Sequence, residues 1–392
     1  MTRQTTAFHV DWFITAESIQ HDVTVRFGDG RIQSVEPGQS SDASDLGPVA
    51  MIPGLVNAHT HLEFSLLTEP IPTQGRFTDW IRSVVRYRRE HPEQVPQAIR
   101  AGVQESLKAG TTSLGDIATI GWSVHDYRSA EFSGIVYQEL IGLGDERVIQ
   151  QQDLARNTCV SSVSDPSILM GLSPHAPYSV HPDLLRLAIT SAAEKNCPVA
   201  MHLAETPVEL ELLSDGTGEF REMLTEFGIW REGLFGGKSP LDYLQALAEC
   251  PQALVIHGNY LNDRELQFIA KHPQLTLVYC PRTHAAFGHS SHPWRRLLEL
   301  GGSVAIGTDS RASNPDLSVF AELQFLAAQH SDLSHLNLLK LATRSLPDRL
   351  SPPRADLCLV QWDAGISPDP ARNLFAPGNK VVGTIVGGAW RL

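Results

Sequence analysis

Nowhere in the 392 residues do apolar side chains run unbroken for the ~18 positions a membrane-spanning helix needs. No uninterrupted apolar segment follows a basic start at the N-terminus, so an export signal is not expected either and a soluble, cytoplasmic protein is. Cysteine is scarce. The five present, Cys159, Cys197, Cys250, Cys280 and Cys358, are odd in number, scattered, and never in C-x-x-C spacing. That excludes a disulfide scaffold and suits a reducing compartment. Cys197, Cys280 and Cys358 lie beside or inside apolar runs and read as buried, unpaired thiols, although Cys280, at a strand end, could approach a site. Positive charge is also in deficit: 31 Lys and Arg face 44 Asp and Glu, a net charge of -13. Nucleic-acid and anionic-membrane partners call for clustered basic residues, so neither is expected. The best basic stretch, Arg82 to Arg89, reads as a solvated helix face.

What the chain has is apolar material, 42% of its residues, enough for one large domain and a small one. Strand-like runs recur at Met51 to His59, Thr111 to Ile117, Gly134 to Ile141, Ile168 to Ser173, Val199 to Leu203, Ala253 to His257, Leu275 to Cys280 and Val304 to Gly307. Between them, segments such as Val95 to Ala109, Pro182 to Lys195, Asp242 to Cys250, Arg264 to Lys271 and Pro315 to Ala328 carry apolar residues at helical spacing. Eight alternations of this kind predict an α/β fold, a (β/α)8 TIM barrel, over residues 50–350. The ends of the chain alternate instead. Phe8 to Ile14, Val23 to Phe27, the turn Gly28-Asp29-Gly30, Leu357 to Gln361 and Lys380 to Val386 predict a small β-sandwich domain built from residues 1–49 and 351–392.

His59-Thr60-His61 closes the first barrel strand, and alternate strand residues point the same way, so the two imidazoles can grip one metal ion. His202, His257 and Asp309 follow other apolar runs, and all fall where β/α barrels build their active sites, at the C-terminal strand ends. His59, His61, His202 and Asp309 supply the nitrogen and carboxylate set that zinc accepts around an open position for water. A bound metal lowers the pKa of that water to about 7. Glu205, three residues past His202, is the first choice to carry the proton.

In these residues the chain resembles the amidohydrolase superfamily, within it the cytosine deaminase-like branch that includes adenosine-type deaminases and triazine hydrolases and chlorohydrolases. The resembling stretches are Pro53-Gly54-Leu55-Val56-Asn57-Ala58-His59-Thr60-His61, Ala109-Gly110-Thr111-Thr112, Gly171 to Ser179, His202-Leu203-Ala204-Glu205-Thr206, Val255-Ile256-His257-Gly258, Tyr279-Cys280-Pro281-Arg282 and Gly307-Thr308-Asp309-Ser310, in the family's order. The resemblance implies that His59, His61, His202 and Asp309 bind one divalent metal ion, zinc with iron as the alternative. It further implies that His257 orients the hydroxide or the substrate atom, that Asp309 doubles as base, and that Glu205 carries the proton to the ring nitrogen or leaving amine. Relatives with two metals use a lysine at the end of the fourth strand; Ile168 to Ser173 has none. The segment His59 to Ser65 with Phe77-Thr78-Asp79-Trp80 is similar to bacterial aminodeoxyfutalosine deaminases. A homo-oligomer is implied on family grounds.

Glu63 continues the face of His59 and His61 and either meets a substrate hydroxyl or amine or stands behind the site. By resemblance His175 contacts substrate and Trp80 walls the pocket, the alternatives being a loop histidine and core packing. His284, His289 and His292 crowd the loop after the seventh strand without a carboxylate, which favours substrate contact or solvent exposure over a second metal site. The aromatic- and Gly-rich insertion between Glu205 and Leu241 fits a lid or a subunit contact. The leading expectation is hydrolytic deamination of a neutral amino-substituted nitrogen heterocycle, in keeping with a site short of dedicated basic residues. Amide, guanidine or aryl-chloride hydrolysis is the alternative chemistry, and a non-catalytic barrel scaffold the alternative of another class.

Overall fold

The computed structural model describes residues 6–127, 133–159, 167–343, 354–362 and 369–391. Eight parallel strands make the barrel: β1 (Leu55–Thr60), β2 (Thr111–Ala118), β3 (Ser133–Leu140), β4 (Ile168–Pro174), β5 (Val199–Leu203), β6 (Ala253–His257), β7 (Leu275–Tyr279) and β8 (Ser303–Ile306), each paired with its neighbours in sequence order. Side chains such as Val56, Ala58, Ile135, Tyr137, Ile256 and Val278 fill the interior as a packed core. The outward faces are covered by helices that include Val95–Lys108, Pro182–Lys195, Asp263–Lys271 and Val319–Gln329. Two further helices are Phe77–Glu90, with apolar residues at helical spacing in Phe77, Trp80, Ile81, Val84 and Val85, and Asp145–Thr158, whose many charged and polar residues obscure its apolar spacing.

β8 meets β1 without a regular ladder. Backbone N–H groups of Thr308 and Asp309 both donate to the His59 carbonyl at 3.1 Å. The Asn57 amide accepts from Thr308 N at 3.1 Å and donates to Thr308 Oγ1 at 2.7 Å. Gly307 permits this closure, since a Cβ there would lie 2.9 Å from the His59 Cβ and 3.0 Å from its carbonyl oxygen. The seam of the barrel is therefore built from the residues that flank two candidate ligands.

Both termini contribute to the second β unit, which is hydrogen-bonded as one continuous mixed sheet. Thr6–Ile14, Ile19–Gly28 and Arg31–Pro37 pair antiparallel in sequence, and Leu357–Gln361 pairs antiparallel with both Lys380–Val386 and Val49–Pro53. Val49–Pro53 corrects one strand expectation. The run expected from Met51 to His59 is two strands, split where Pro53 lacks an N–H and Gly54 N turns to the Asp356 carbonyl at 2.8 Å. The boundary expected at residue 350 lies outside the described residues.

The cysteine expectation also needs correction. Cys197 is buried but not unpaired: it forms a disulfide with Cys159 across 38 residues. Cys159 ends the helix Asp145–Thr158, and Cys197 precedes β5 just past the helix Pro182–Lys195 that packs beside it. Proximity of this kind has no trace in linear spacing. Cys250, Cys280 and Cys358 are buried free thiols, with Cys280 in the barrel interior. Among the described residues no helix is long and apolar enough to cross a membrane.

Candidate metal centre and active site

The strand ends converge. His59, His61, His202, His257 and Asp309 are all buried at the C-terminal mouth of the barrel. The ring of His59 lies 4.9 Å from those of His61 and His202 and 5.7 Å from that of His257. Asp309 Oδ1 stands 3.4 Å from His59 Nε2 and 3.9 Å from His61 Nε2, and the Nε2 atoms of His61 and His202 are 3.3 Å apart. Two overlapping triads, His59-His202-His257 and His59-His61-Asp309, each bring their ligand atoms within 4.8 Å of one another.

Local backbone shape aims these groups. The β1–β2 register shifts between Asn57 and Thr60, as a bulge does when it re-aims side chains. Ala204, His257 and Asp309 take φ of 52°, 66° and 56°, in the left-handed region that disfavours side chains. Such strain persists where the surroundings over-determine it, and here they do. Ala204 N and Glu205 N each donate to a different Glu209 carboxylate oxygen at 2.9 Å. Asn259 Nδ2 donates to Glu205 O at 2.9 Å, and His292 Nε2 bonds His257 O at 2.7 Å.

The donor set fits a divalent metal. Both nitrogens of His59 and Nδ1 of His61 are buried without a hydrogen-bond partner, a costly state for an imidazole unless something else binds it. His202 Nδ1 lies 2.9 Å from the His175 carbonyl, which can only accept, so the Nδ1 proton is spent there and the Nε2 lone pair is directed at the cluster. Burial pushes the His61 and His202 pKa values well below the usual histidine range and that of His257 down to about 3, so the rings are neutral, the form that ligates metal. Burial pushes Asp309 the other way, but the nearby His59 ring, its Nε2 3.4 Å from Oδ1, and the His61 and His257 rings beside it outweigh burial and hold the carboxyl below its ordinary value. Its second oxygen accepts from Ser313 Oγ at 2.5 Å.

Glu205 faces the same cluster, with Oε1 3.4 Å from His257 Nε2. Burial, followed by the Asp309 and Glu209 charges, raises its pKa well above the carboxylate range. A protonated carboxyl at this place can donate. His175 bonds Ser179 Oγ through Nδ1 at 2.8 Å, and its ring lies 4.8 Å from that of the neighbouring His202. Trp80 is half-buried on the helix Phe77–Glu90, 5.6 Å from Phe77 and 5.2 Å from Phe287.

Glu63 is buried but does not stand alone. Its Oε1 accepts from Arg88 Nη2 at 2.6 Å and its Oε2 from Thr119 Oγ1 at 3.1 Å, while Arg88 also reaches Glu139 at 3.3 Å. This corrects the reading of Arg82 to Arg89 as a solvated face: Arg88 is drawn in between two buried carboxylates. It also corrects the picture of a site without a basic residue, because Glu139 Oε1 lies 3.8 Å from His175 Nε2. Ser313, Glu139 and Arg88 carried no motif. Glu139 sits at a strand end, the one cue that could have raised it. Of the three loop histidines, His292 is buried and fully engaged, its Nδ1 accepting from Trp294 N at 3.0 Å. Solvent exposure does not describe it.

Over the mouth, the segment after β5 forms helices Pro207–Asp215 and Gly218–Glu226. Phe220 is fully buried there, 4.2 Å from the Tyr178 ring, and Arg82 joins Glu226 across to the helix Phe77–Glu90.

Known proteins resemble this chain in sequence and in fold. Residues 50–345 match the model of the amidohydrolase family. The 5-methylthioadenosine/S-adenosylhomocysteine deaminase of Pyrococcus furiosus is 27% identical over 346 residues, 83% of this chain and 76% of that protein. The aminodeoxyfutalosine deaminase of a Nitratiruptor species is 27% identical over 280 residues, 70% of this chain and 66% of that protein. Among solved structures, the aminofutalosine deaminase of Helicobacter pylori superposes with a TM-score of 0.84 at 21% identity, covering 99% of this chain and all of that one. Since the family model spans the whole barrel and every strand end that carries the cluster, the chain belongs to the amidohydrolase family.

Proposed function

We propose that the protein is a metal-dependent deaminase of an amino-substituted nitrogen heterocycle, with adenine nucleosides as the substrate class. The carrying observation is the buried, partner-starved imidazole set facing Asp309, with the buried Glu205 carboxyl, its pKa raised well above the carboxylate range, beside it. Relatives whose names are adenine-nucleoside deaminases support the substrate class. His59, His61, His202 and Asp309 would hold one divalent ion, zinc by preference. When bound, such an ion activates water for attack at neutral pH.

The chain's own groups account for the rest. Asp309, held ionised, accepts the proton of the attacking water. Glu205 donates its proton to the ring nitrogen, a role its raised pKa suits, and recovers one from the added hydroxyl as the carbonyl forms, while the proton that Asp309 took from water goes to the departing amine, which leaves as ammonia. His257, fixed through its carbonyl by His292, orients the attacking oxygen. Glu63 and His175 line the substrate side next to His61 and His202, and Trp80 with Phe220 and Tyr178 closes an aromatic cover that excludes water.

Ammonia release by the zinc-loaded protein tests this against adenine, adenosine, 5′-modified adenosines, aminodeoxyfutalosine, guanine and cytosine. Release from one or more adenine nucleosides is the expected result. Silence across the panel with metal bound contradicts it and moves the function to amide, guanidine or halide hydrolysis.

A further inference from the structure

Two features take no part in the chemistry proposed above. One is Arg282, in the stretch Tyr279-Cys280-Pro281-Arg282; the other is Asn314, five residues past Asp309 and wholly buried, its Oδ1 without a hydrogen-bond partner. They are joined. Arg282, on the short helix Pro281–Ala286 just past β7, donates from Nε to Glu322 Oε1 at 2.7 Å and from its backbone N to Glu322 Oε2 at 2.8 Å. Its Nη1 and Nη2 grip both Asp316 carboxylate oxygens, at 3.0 and 2.6 Å. Glu322, wholly buried in the first turn of the helix Val319–Gln329, also accepts from Asn314 Nδ2 at 2.7 Å. Asn314 Nδ2 gives its second hydrogen to the Thr308 carbonyl at 2.8 Å. A backbone carbonyl can only accept, which fixes the amide nitrogen on that side and leaves Oδ1 as the orphan.

The Thr308 carbonyl is half of the peptide unit that leads into Asp309. The other half, Asp309 N, donates to the His59 carbonyl at 3.1 Å. On the far side, the Asp309 carbonyl accepts from Thr60 Oγ1 at 2.9 Å and from Thr308 Oγ1 at 3.0 Å. Both peptide planes that flank the Asp309 Cα are thereby held, and a fixed pair of planes sets φ at 56° and the direction of the Cα–Cβ bond. Ser313 Oγ takes Oδ2, at 2.5 Å, so Oδ1 is the oxygen left toward His59 and His61. Apart from Asn314, only Thr283 Oγ1 among the described residues reaches the Thr308 carbonyl from a side chain, at 3.4 Å. An apolar side chain of similar shape would spare the fold a buried, unpaired acceptor, yet the position holds an amide whose two N–H groups are both used. Stability alone does not account for that choice, whereas the aim of Asp309 does.

We propose that Asn314 is a positioning residue for Asp309. Anchored through Glu322 to Arg282, it holds the Thr308 carbonyl and so sets how Oδ1 faces the imidazoles. The proposal rests on the reading of Asp309 as a metal ligand and base. Hydrogen-bonded supports of a ligand commonly govern metal affinity or activity by about 10–100-fold.

The test compares wild type with Asn314→Leu and Asn314→Ala, the second leaving room where leucine crowds its neighbours. Each protein is stripped of metal, its thermal unfolding midpoint is measured, and zinc is titrated in against a chelating dye. Cobalt(II) is bound in parallel, because its visible absorption reports the geometry of its ligands. In the variants zinc affinity should fall about 10–100-fold and the cobalt spectrum should shift. At saturating zinc, kcat for the preferred nucleoside should fall by a similar factor, with KM within about twofold of wild type.

Zinc affinity and a cobalt spectrum equal to wild type in both variants would overturn the proposal whatever happens to the midpoint, since Asn314 would then serve stability alone; the deaminase reading would stand. A wild-type protein that binds neither metal ends the metal reading and the proposal together. Zinc and cobalt effects in a protein that releases no ammonia from any nucleoside keep Asn314 as the positioning residue and remove the deaminase.

Discussion

Glu205 is where single-residue chemistry concentrates. Its carboxyl is buried against Asp309 and Glu209, and its backbone is pinned from both sides by Glu209 and Asn259. Glu205→Gln keeps the shape and every ligand nitrogen but removes the transferable proton. We expect unchanged metal content with kcat lowered by about 10²–10⁴-fold, read by metal analysis alongside steady-state kinetics. Wild-type turnover in the variant would take Glu205 out of the mechanism. Residues at this scale were unevenly legible. His59, His61, His202, His257 and Asp309 announce themselves because ligand types at strand ends are rare and apolar runs lead into them. Ser313, Arg88 and Glu139 do not, since a serine in a loop, an arginine in a basic helix and a glutamate after Val136-Tyr137-Gln138 look ordinary until the fold brings them to Asp309, Glu63 and His175.

Among the elements, β5 and β6 run over the expected residues, Val199–Leu203 and Ala253–His257, because each is a short apolar run bounded by polar ends. Met51 to His59 misled for the opposite reason: apolar continuity hides the point where one strand leaves the terminal sheet and another enters the barrel. The cover over the mouth depends on Phe220, the largest buried side chain in the helix Gly218–Glu226, which packs with Tyr178, Leu212 and Met223. Truncation to alanine leaves a cavity that costs about 3–5 kcal/mol where the surroundings cannot collapse. Phe220→Ala should therefore raise KM and lower the unfolding midpoint, measured by kinetics and thermal denaturation. An unaltered KM would show that the helix does not cover the substrate. Exposed pairs such as Arg82 with Glu226 contribute little by comparison.

For the whole molecule, segments from both ends of the chain join in one sheet beside the barrel. The terminal sheet carries its own titrating clip. His9 is buried between Asp22 and Asp45, at 2.8 and 3.1 Å, and their hydrogen bonds raise its pKa above 6.5. A histidine that binds its proton more tightly when folded stabilises fully below its unfolded value, near pH 6.5, and loses that contribution as pH rises through the raised folded value. The stability difference between wild type and His9→Gln should accordingly shrink from pH 6 toward pH 9, as followed by denaturant unfolding. A difference that grows with pH would contradict the clip. The disulfide between Cys159 and Cys197, like the closure of β8 onto β1 through Asn57 and Thr308, belongs to this scale and was invisible in sequence, because both are contacts of packing rather than of pattern.

The central claim is that one metal ion held at the strand ends makes this family member a deaminase. Ammonia release from the preferred adenine nucleoside, measured against zinc equivalents added back to chelated protein, tests it most directly. The account predicts no turnover without metal, a linear rise to one equivalent per chain, and a plateau beyond it. Full turnover in the metal-free protein, or a rise that continues to two equivalents, would contradict it.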